Sequence, residues 1–362
     1  MAELKPSVAI LLTLVVGTTG GALFNFWGLP LPWMLGSMIF VSACAILGVP
    51  VRRSMPLRNI MIVVLGILLG SFFTPGVFSD LTTWGSALLV MLVYVIVTTT
   101  AAVLIFRRLG YMDATTAYFS STPGGLGIMV IAGEEAGADS RLIPIAHATR
   151  VFLVVFSIPL YFVTVVGVEV PSISTFSTSA TSYPDFQEFI LLASCGLMGF
   201  WLASRIDLAF GRMLIPMVLS GVVYYLDLVT TPLPTPLITV AQVVIGSAIG
   251  AQFRGMRLLS MFRVGIAAIG ATAIMLAVAA GFAKLFSPIL DISEDALLLA
   301  LAPGGLAEMS LIAISMNSDT AFIATLHIFR ITMIAAAGPT LFRLLRNLSN
   351  KTPLERRNPS ND

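Results

Sequence analysis

The sequence predicts an all-α polytopic membrane protein built from two inverted repeats, with about ten transmembrane helices and two broken, re-entrant segments. Three observations predict it. The first is composition: of 362 residues, 57% are hydrophobic and 10% charged, whereas a soluble domain carries roughly a quarter charged residues to cover its surface. The second is a series of apolar runs long enough to cross a bilayer, which takes about 20 residues each. The third is a repeat of the whole pattern at an offset of 180 residues.

The runs follow in order. The first, 8–26, comes after Lys5 and has the flanks of a signal peptide, but its counterpart deep in the chain cannot be one, so it is a retained first helix. Runs at 31–49, 57–74 and 84–106 follow on short connections. The segment 112–137 is apolar but interrupted by Pro123, Gly124 and Gly125, and 142–166 closes the first repeat, 1–168. A Ser/Thr-rich linker, 169–186, is expected outside the cytoplasm. The second repeat, 187–346, offers runs at 187–204, 211–229, 236–252, 264–286 and 321–342, with a segment at 294–317 interrupted by Pro303, Gly304 and Gly305. A short tail, 347–362, is expected in the cytoplasm.

The repeat is ungapped around its motifs. Pro123-Gly124-Gly125-Leu126 aligns with Pro303-Gly304-Gly305-Leu306, and the same offset pairs Met129 with Met309, Asp139 with Asp319, His147 with His327, Arg150 with Arg330, Gly66 with Gly246 and Gly70 with Gly250. Basic charge marks cytoplasmic loops, and it switches halves at each aligned loop. Arg52, Arg53 and Arg58 face an uncharged 229–238, the 74–83 loop faces Arg254, Arg257 and Arg263, and Arg107 and Arg108 face Asp291, Glu294 and Asp295. The halves are therefore expected upside down relative to each other. Inversion needs an odd number of crossings per half, so one of six segments should not cross. Residues 113–121 would reach only about 13 Å as a helix, which makes the Pro-Gly-Gly segments the re-entrant ones and leaves both termini cytoplasmic.

Proline lacks an N–H and glycine accepts unusual dihedrals, so Pro-Gly-Gly opens a helix and frees backbone groups that hydrocarbon cannot satisfy. Such breaks in inverted repeats build transporter sites near the midplane, and the half-helix after Gly125 or Gly305 aims its positive end inward, which suits an anion. His147 and Arg150, like His327 and Arg330, are three residues apart on one helix face. Arg150 is expected about 15 Å deep, where a charge is costly. Either each arginine satisfies the carbonyls opened at a break, or the two arginines bind an anionic substrate while the histidines exchange protons; both can hold together. The chain has only two histidines, and chance would align them at this offset roughly once in 180 placements. Glu308 stands where the first repeat has Ile128, as a counter-ion of a buried arginine or a carrier of a proton or cation. Glu134 and Glu135 have no counterparts and are expected at the cytoplasmic mouth of the first hairpin, and Asp139 and Asp319 are expected as helix N-caps.

The near-neutral balance of +2 offers no basic face for nucleic acid. No phosphate-binding loop, zinc-protease motif or Cys/His cluster is present, so neither a metal nor another cofactor, nor an enzymatic activity, is expected. The partners expected are membrane lipid and a small, anionic substrate, and a homo-oligomer is compatible with the sequence. The two copies of [AT]-P-G-G-L-x-x-M, each followed by D…H-x-x-R, and L-P-W-M-L-G at 31–36, resemble the AbrB-type bacterial inner-membrane family over about 8–346. The resemblance implies a duplicated hydrophobic domain in the inner membrane and carries two labels, regulator of gene expression and ammonia monooxygenase. It also implies distant similarity to the cation:proton antiporter and anion transporter superfamily, with its crossed, broken helices. The expected function is secondary transport of a small organic anion or metabolite, with indirect gene regulation as the alternative and the monooxygenase last.

Overall fold

The structure, a computed structural model, describes residues 5–29, 31–73, 81–167, 184–206, 211–231, 233–255 and 258–350. The expected linker lies almost wholly outside them, as does most of the tail. All regular structure among the described residues is helical. The first half runs α1 (Pro6–Phe26), α2 (Pro32–Ile46), α3 (Met55–Gly70), α4 (Leu81–Arg108), α5 (Ala114–Ser121), α6 (Leu126–Glu135) and α7 (Leu142–Tyr161), the last ending in a π-turn. The second half repeats that order of long and short helices as α8 (Phe186–Arg205), α9 (Gly211–Tyr225), α10 (Thr235–Gly250), α11 (Leu258–Leu290), α12 (Glu294–Leu301), α13 (Leu306–Ser315) and α14 (Thr320–Asn350).

Among the described residues, seven helical stretches are long and apolar enough to cross a membrane: Pro6–Phe26, Trp84–Arg108, Leu142–Val166, Phe186–Arg205, Thr235–Phe253, Phe262–Leu290 and Thr320–Leu344. The shorter apolar helices are α2, α3, α9 and α13. Burial follows the logic of a lipid solvent. Leu89 is 67% exposed and Leu197 74%, while Arg330 is 0% exposed and ranks among the largest buried side chains. Water would reject so apolar an exterior, whereas hydrocarbon accepts it and forces charge inward.

Close helix contacts rest on glycine. A Cβ at Gly66 of α3 would sit 2.5 Å from the Met213 carbonyl oxygen of α9, and one at Gly70 would sit 2.7 Å from that of Met217. In the same way Gly246 and Gly250 of α10 press on the carbonyls of Met34 and Met38 of α2, at 2.5 and 2.7 Å. With little hydrophobic gain to be had between helices in lipid, such backbone approach is what holds them together. The order of contacts sets directions: α3 runs parallel to α9, and α10 to α2. Equivalent helices α4 and α11 run antiparallel, with the Tyr94 hydroxyl 3.3 Å from the Met275 carbonyl at one level. Near the other end, Gly270 lies against Ile105 and Leu109, and Gly110 against Ala267.

Basic residues gather at one end of this bundle. Arg254, after α10, donates from Nη1 to the Val51 carbonyl at 2.9 Å, tying its loop to the one that carries Arg52 and Arg53. Arg107 and Arg108 end α4 beside the start of α11. At this end Asp113 caps α5, accepting from the backbone N–H groups of Thr115 and Thr116 at 3.0 and 3.1 Å. Burial alone would raise the Asp113 carboxyl, but the hydrogen bonds from Thr116 and Thr115 outweigh it and hold it below its ordinary value.

Two stability predictions follow from this packing. Gly246→Leu forces α10 off α2 and is expected to cost about 1–3 kcal/mol, read as a lower melting temperature in detergent. Gly281→Ala, where an added Cβ meets open space, is the control and leaves melting unchanged or slightly raised. Asp113→Ala is expected to cost about 1 kcal/mol. Because the folded carboxyl titrates low, its contribution is complete at neutral pH and disappears as pH falls through that depressed value; Asp113→Ala should melt with a weaker acid dependence than wild type.

Candidate functional site

The sequence places a break at each Pro-Gly-Gly, and each break is flanked by two half-helices. In the first, α5 ends at Ser121 because Pro123 cannot donate the next bond, and α6 begins immediately after Gly125. The two arms lie side by side: the Asp139 N–H beyond α6 donates to Thr116 Oγ1 near the start of α5 at 2.9 Å. Gly133 of α6 packs on Phe119 of α5. In the second, α12 ends at Leu301, and α13 begins after Gly305. Eight-residue arms such as α5 and α12 measure about 12 Å, so their carbonyl ends and the N–H ends of α6 and α13 fall inside the protein.

Each carbonyl end is met by the His–Arg pair of the next long helix. His147 Nε2 lies 2.9 Å from the Phe119 carbonyl oxygen, and His147 Nδ1 lies 3.1 Å from Arg150 Nη2. A carbonyl can only accept and a guanidinium can only donate, so Nε2 carries the proton and Nδ1 is the acceptor. His327 repeats the pattern at 3.0 Å to the Leu299 carbonyl and 3.0 Å to Arg330 Nη2. Both imidazoles are thereby held as the Nε2–H tautomer. A second proton on Nδ1 would face an N–H, so the proton exchange expected of the histidines requires the arginine to move away first.

The two arginines are held unequally. Arg330 donates to the carbonyls of Ala302 at 2.6 Å, Gly304 at 2.7 Å and Leu301 at 3.4 Å. Arg150 reaches only the carbonyls of Ser121 at 3.3 Å and Ser120 at 3.5 Å, and gains no contact equivalent to that with Gly304. The Nε of each arginine and the hydroxyls of Ser120 and Ser310 are buried without a protein partner. The breaks differ too. Gly125 has φ +77°, where a side chain is strained, while Gly305 is extended at φ −83° and the Glu308 carboxylate folds back over it. Gly124 abuts Ile334 of α14, so the helix that carries Arg330 also braces the first break.

Arg150, Arg330 and Tyr94 of α4 are all buried, and the Tyr94 hydroxyl meets the Met275 carbonyl of α11. Pro123, Gly124, Pro303 and Gly304 are buried at the tips beside them. Glu308 is buried in the first turn of α13, and Arg58 of α3 is a basic group whose charge bears on it. Tyr94 was missed from the sequence. Its signal was a lone tyrosine amid an apolar run, away from the interfacial belt where tyrosine is common. Asp319 accepts from the Phe322 N–H at 3.0 Å as a cap of α14, whereas Asp139 accepts from the Arg141 N–H and closes a turn before α7. Among the described residues no group of three His, Cys, Asp or Glu side chains comes together.

The comparisons with known proteins now bear on this arrangement. The family model described as "Transition state regulatory protein AbrB" matches residues 33–346. The chain belongs to the AbrB family. It is similar to "Uncharacterized protein YhjN" of Bacillus subtilis (strain 168), 25% identical over 357 residues that cover 92% of each chain. It is also similar to "Putative regulator AbrB" of Escherichia coli (strain K12), 26% identical over 326 residues, 89% of this chain and 92% of that one. Both broken segments and both His–Arg pairs of this AbrB-family chain fall inside the matched region.

The unequal grip of the arginines makes a ranked prediction. Each substitution strands a histidine Nδ1, but Arg330→Ala also strands three buried carbonyls, at a cost of about 3 kcal/mol or more, whereas Arg150→Ala gives up only two long carbonyl contacts and is expected to cost less. Parallel melting curves of the two purified variants check the order; equal losses would contradict it.

Proposed function

We infer that this AbrB-family protein is a secondary transporter that moves a small organic anion or metabolite by alternating access between two inverted repeats. The observation that carries the reading is the pair of broken helices, each anchored by its own buried His–Arg pair. The inversion is supported by the antiparallel run of the equivalent helices α4 and α11. A two-fold axis along the membrane normal would have made them parallel. Counting α2, α3 and α9 as crossings beside the seven long stretches accounts for ten, with the Pro-Gly-Gly hairpins entering from opposite sides. The basic end of the bundle then faces the cytoplasm, with both termini on that side.

In this reading the anion binds at the N-terminal end of α6, whose helix dipole favours negative charge, while the Glu308 carboxylate already lies over the start of α13. Arg150 supplies a loosely held guanidinium and Arg330 a fixed one. Binding at Arg150 frees the carbonyl end of α5 and His147 Nδ1, which lets His147 take a proton and couples the cargo to the conformation of the first hairpin. Glu308 is the candidate for carrying a proton or cation. No catalytic step is assigned to any residue.

A second reading is favoured by the names of the family and of the Escherichia coli relative: a regulator of gene expression. The described residues form one helical body with short connections, so such a regulator acts through a partner or through the level of a transported inducer.

The test is flux in proteoliposomes of candidates drawn from a metabolite comparison between deletion and overexpressing strains. Arg150→Ala, confirmed folded by its melting curve, is expected to lower flux at least tenfold, and Arg150→Lys to recover only part, because a point charge replaces a fork. Unchanged flux in folded Arg150→Ala would remove that residue from the site. A cytoplasmic partner recovered from cells in which no metabolite changes would favour the regulator.

A further inference from the structure

A cavity of about 290 Å³ opens beside the first hairpin, lined by Phe119, Ala132, Glu135, Ala136, Pro339, Phe342 and Arg343. It lies between α6 and the last part of α14, at the basic end of the bundle. Its wall is aromatic, with the Phe119 and Phe342 ring centroids 5.2 Å apart and Tyr118 packed on both. Its two charges are of opposite sign and both exposed. Among the described residues neither Glu135 nor Arg343 forms an ion pair within 4.0 Å. Glu134 and Glu135 are the last two residues of α6, the negative end of a helix dipole, where a carboxylate is unfavourable and a cation welcome.

The second repeat shows that these features are not demanded by the scaffold. At the 180-residue offset the charged positions are Ser315 and Val163, and the lining positions Ile312, Pro159 and Phe162 are buried. The same corner of the fold is thus uncharged in one half and doubly charged in the other.

We propose that this cavity binds a small zwitterion, its ammonium group on Glu135, its carboxylate on Arg343 and its hydrocarbon body against Phe119 and Phe342. The volume suits a ligand of amino-acid size. The cavity adjoins the first His–Arg pair through Phe119, which lines it and whose carbonyl meets His147, but its charged groups are Glu135 and Arg343, so its ligand is recognised whether or not the protein carries that ligand across the membrane.

The experiment is calorimetry on the purified full-length protein. L-leucine and 6-aminohexanoate are the zwitterionic probes, with short and long charge separation, and hexanoate and hexylamine are the single-charge controls. One zwitterion is expected to bind at least tenfold more tightly than either control. Glu135→Gln is expected to reduce it to the level of hexanoate while leaving hexanoate unchanged, and Arg343→Gln to reduce it to the level of hexylamine. Both residues are exposed, and unchanged melting curves confirm that the variants fold. The proposal is overturned if neither zwitterion binds up to about 10 mM, if a single-charge control binds as tightly, or if both variants bind like wild type. Probe binding lost in Glu135→Gln or Arg343→Gln with proteoliposome flux unchanged, or flux lost with probe binding unchanged, separates failure of this site from failure of the transport reading.

Discussion

An interrupted helix inside a low-dielectric body has to dispose of its carbonyls, and in this protein two buried guanidiniums do so. Hydrocarbon offers no hydrogen bonds, so backbone opened by a proline survives only where protein or water receives it. Arg150 and Arg330 approach the ends of α5 and α12 from the neighbouring long helices, each steadied by a histidine that spends one ring nitrogen on the same helix end and the other on the arginine. The positive charge meets the negative end of a helix dipole, which explains how a cation is tolerated there with no carboxylate partner among the described residues. The breaks, the hairpins and the inward-pointing N-termini of α6 and α13 all depend on that contact.

Duplication supplied the contact twice, and divergence has made the copies unequal. Arg330 is locked by short bonds that extend to Gly304, and Glu308 folds over the adjacent turn. Arg150 is held by longer bonds beside a glycine with positive φ, next to a hairpin that opens onto a charged cavity. A symmetric scaffold with one firm and one yielding half has a natural place for ligand-dependent movement, because the yielding half changes partners at lower cost.

The remainder of the bundle is held by close backbone packing. The glycines of α3 and α10 press on carbonyls of α9 and α2 in matched pairs, which cross-links the halves. The apolar exterior contributes little to that association, since lipid tails are as apolar as leucine. Small residues at crossings therefore do in this protein what a large hydrophobic core does in a soluble one.

Much of this was legible in the residues themselves. The scarcity of charge and the length of the apolar runs required a lipid solvent. The 180-residue repeat located both breaks and both His–Arg pairs, because a motif copied with its spacing intact is visible without coordinates. What a helix does with a buried side chain depends on which neighbour its face meets, and that is a property of packing. Only the tertiary structure joined each arginine to the half-helix that precedes it, folded Glu308 over Gly305, and brought Glu135 to the same cavity as Arg343 from 208 positions away. Periodicity and charge bias act along the chain and can be read there. The unequal grip on two equivalent arginines comes from which carbonyls each reaches, Ala302 and Gly304 in one half and Ser120 and Ser121 in the other, and no local pattern encodes that.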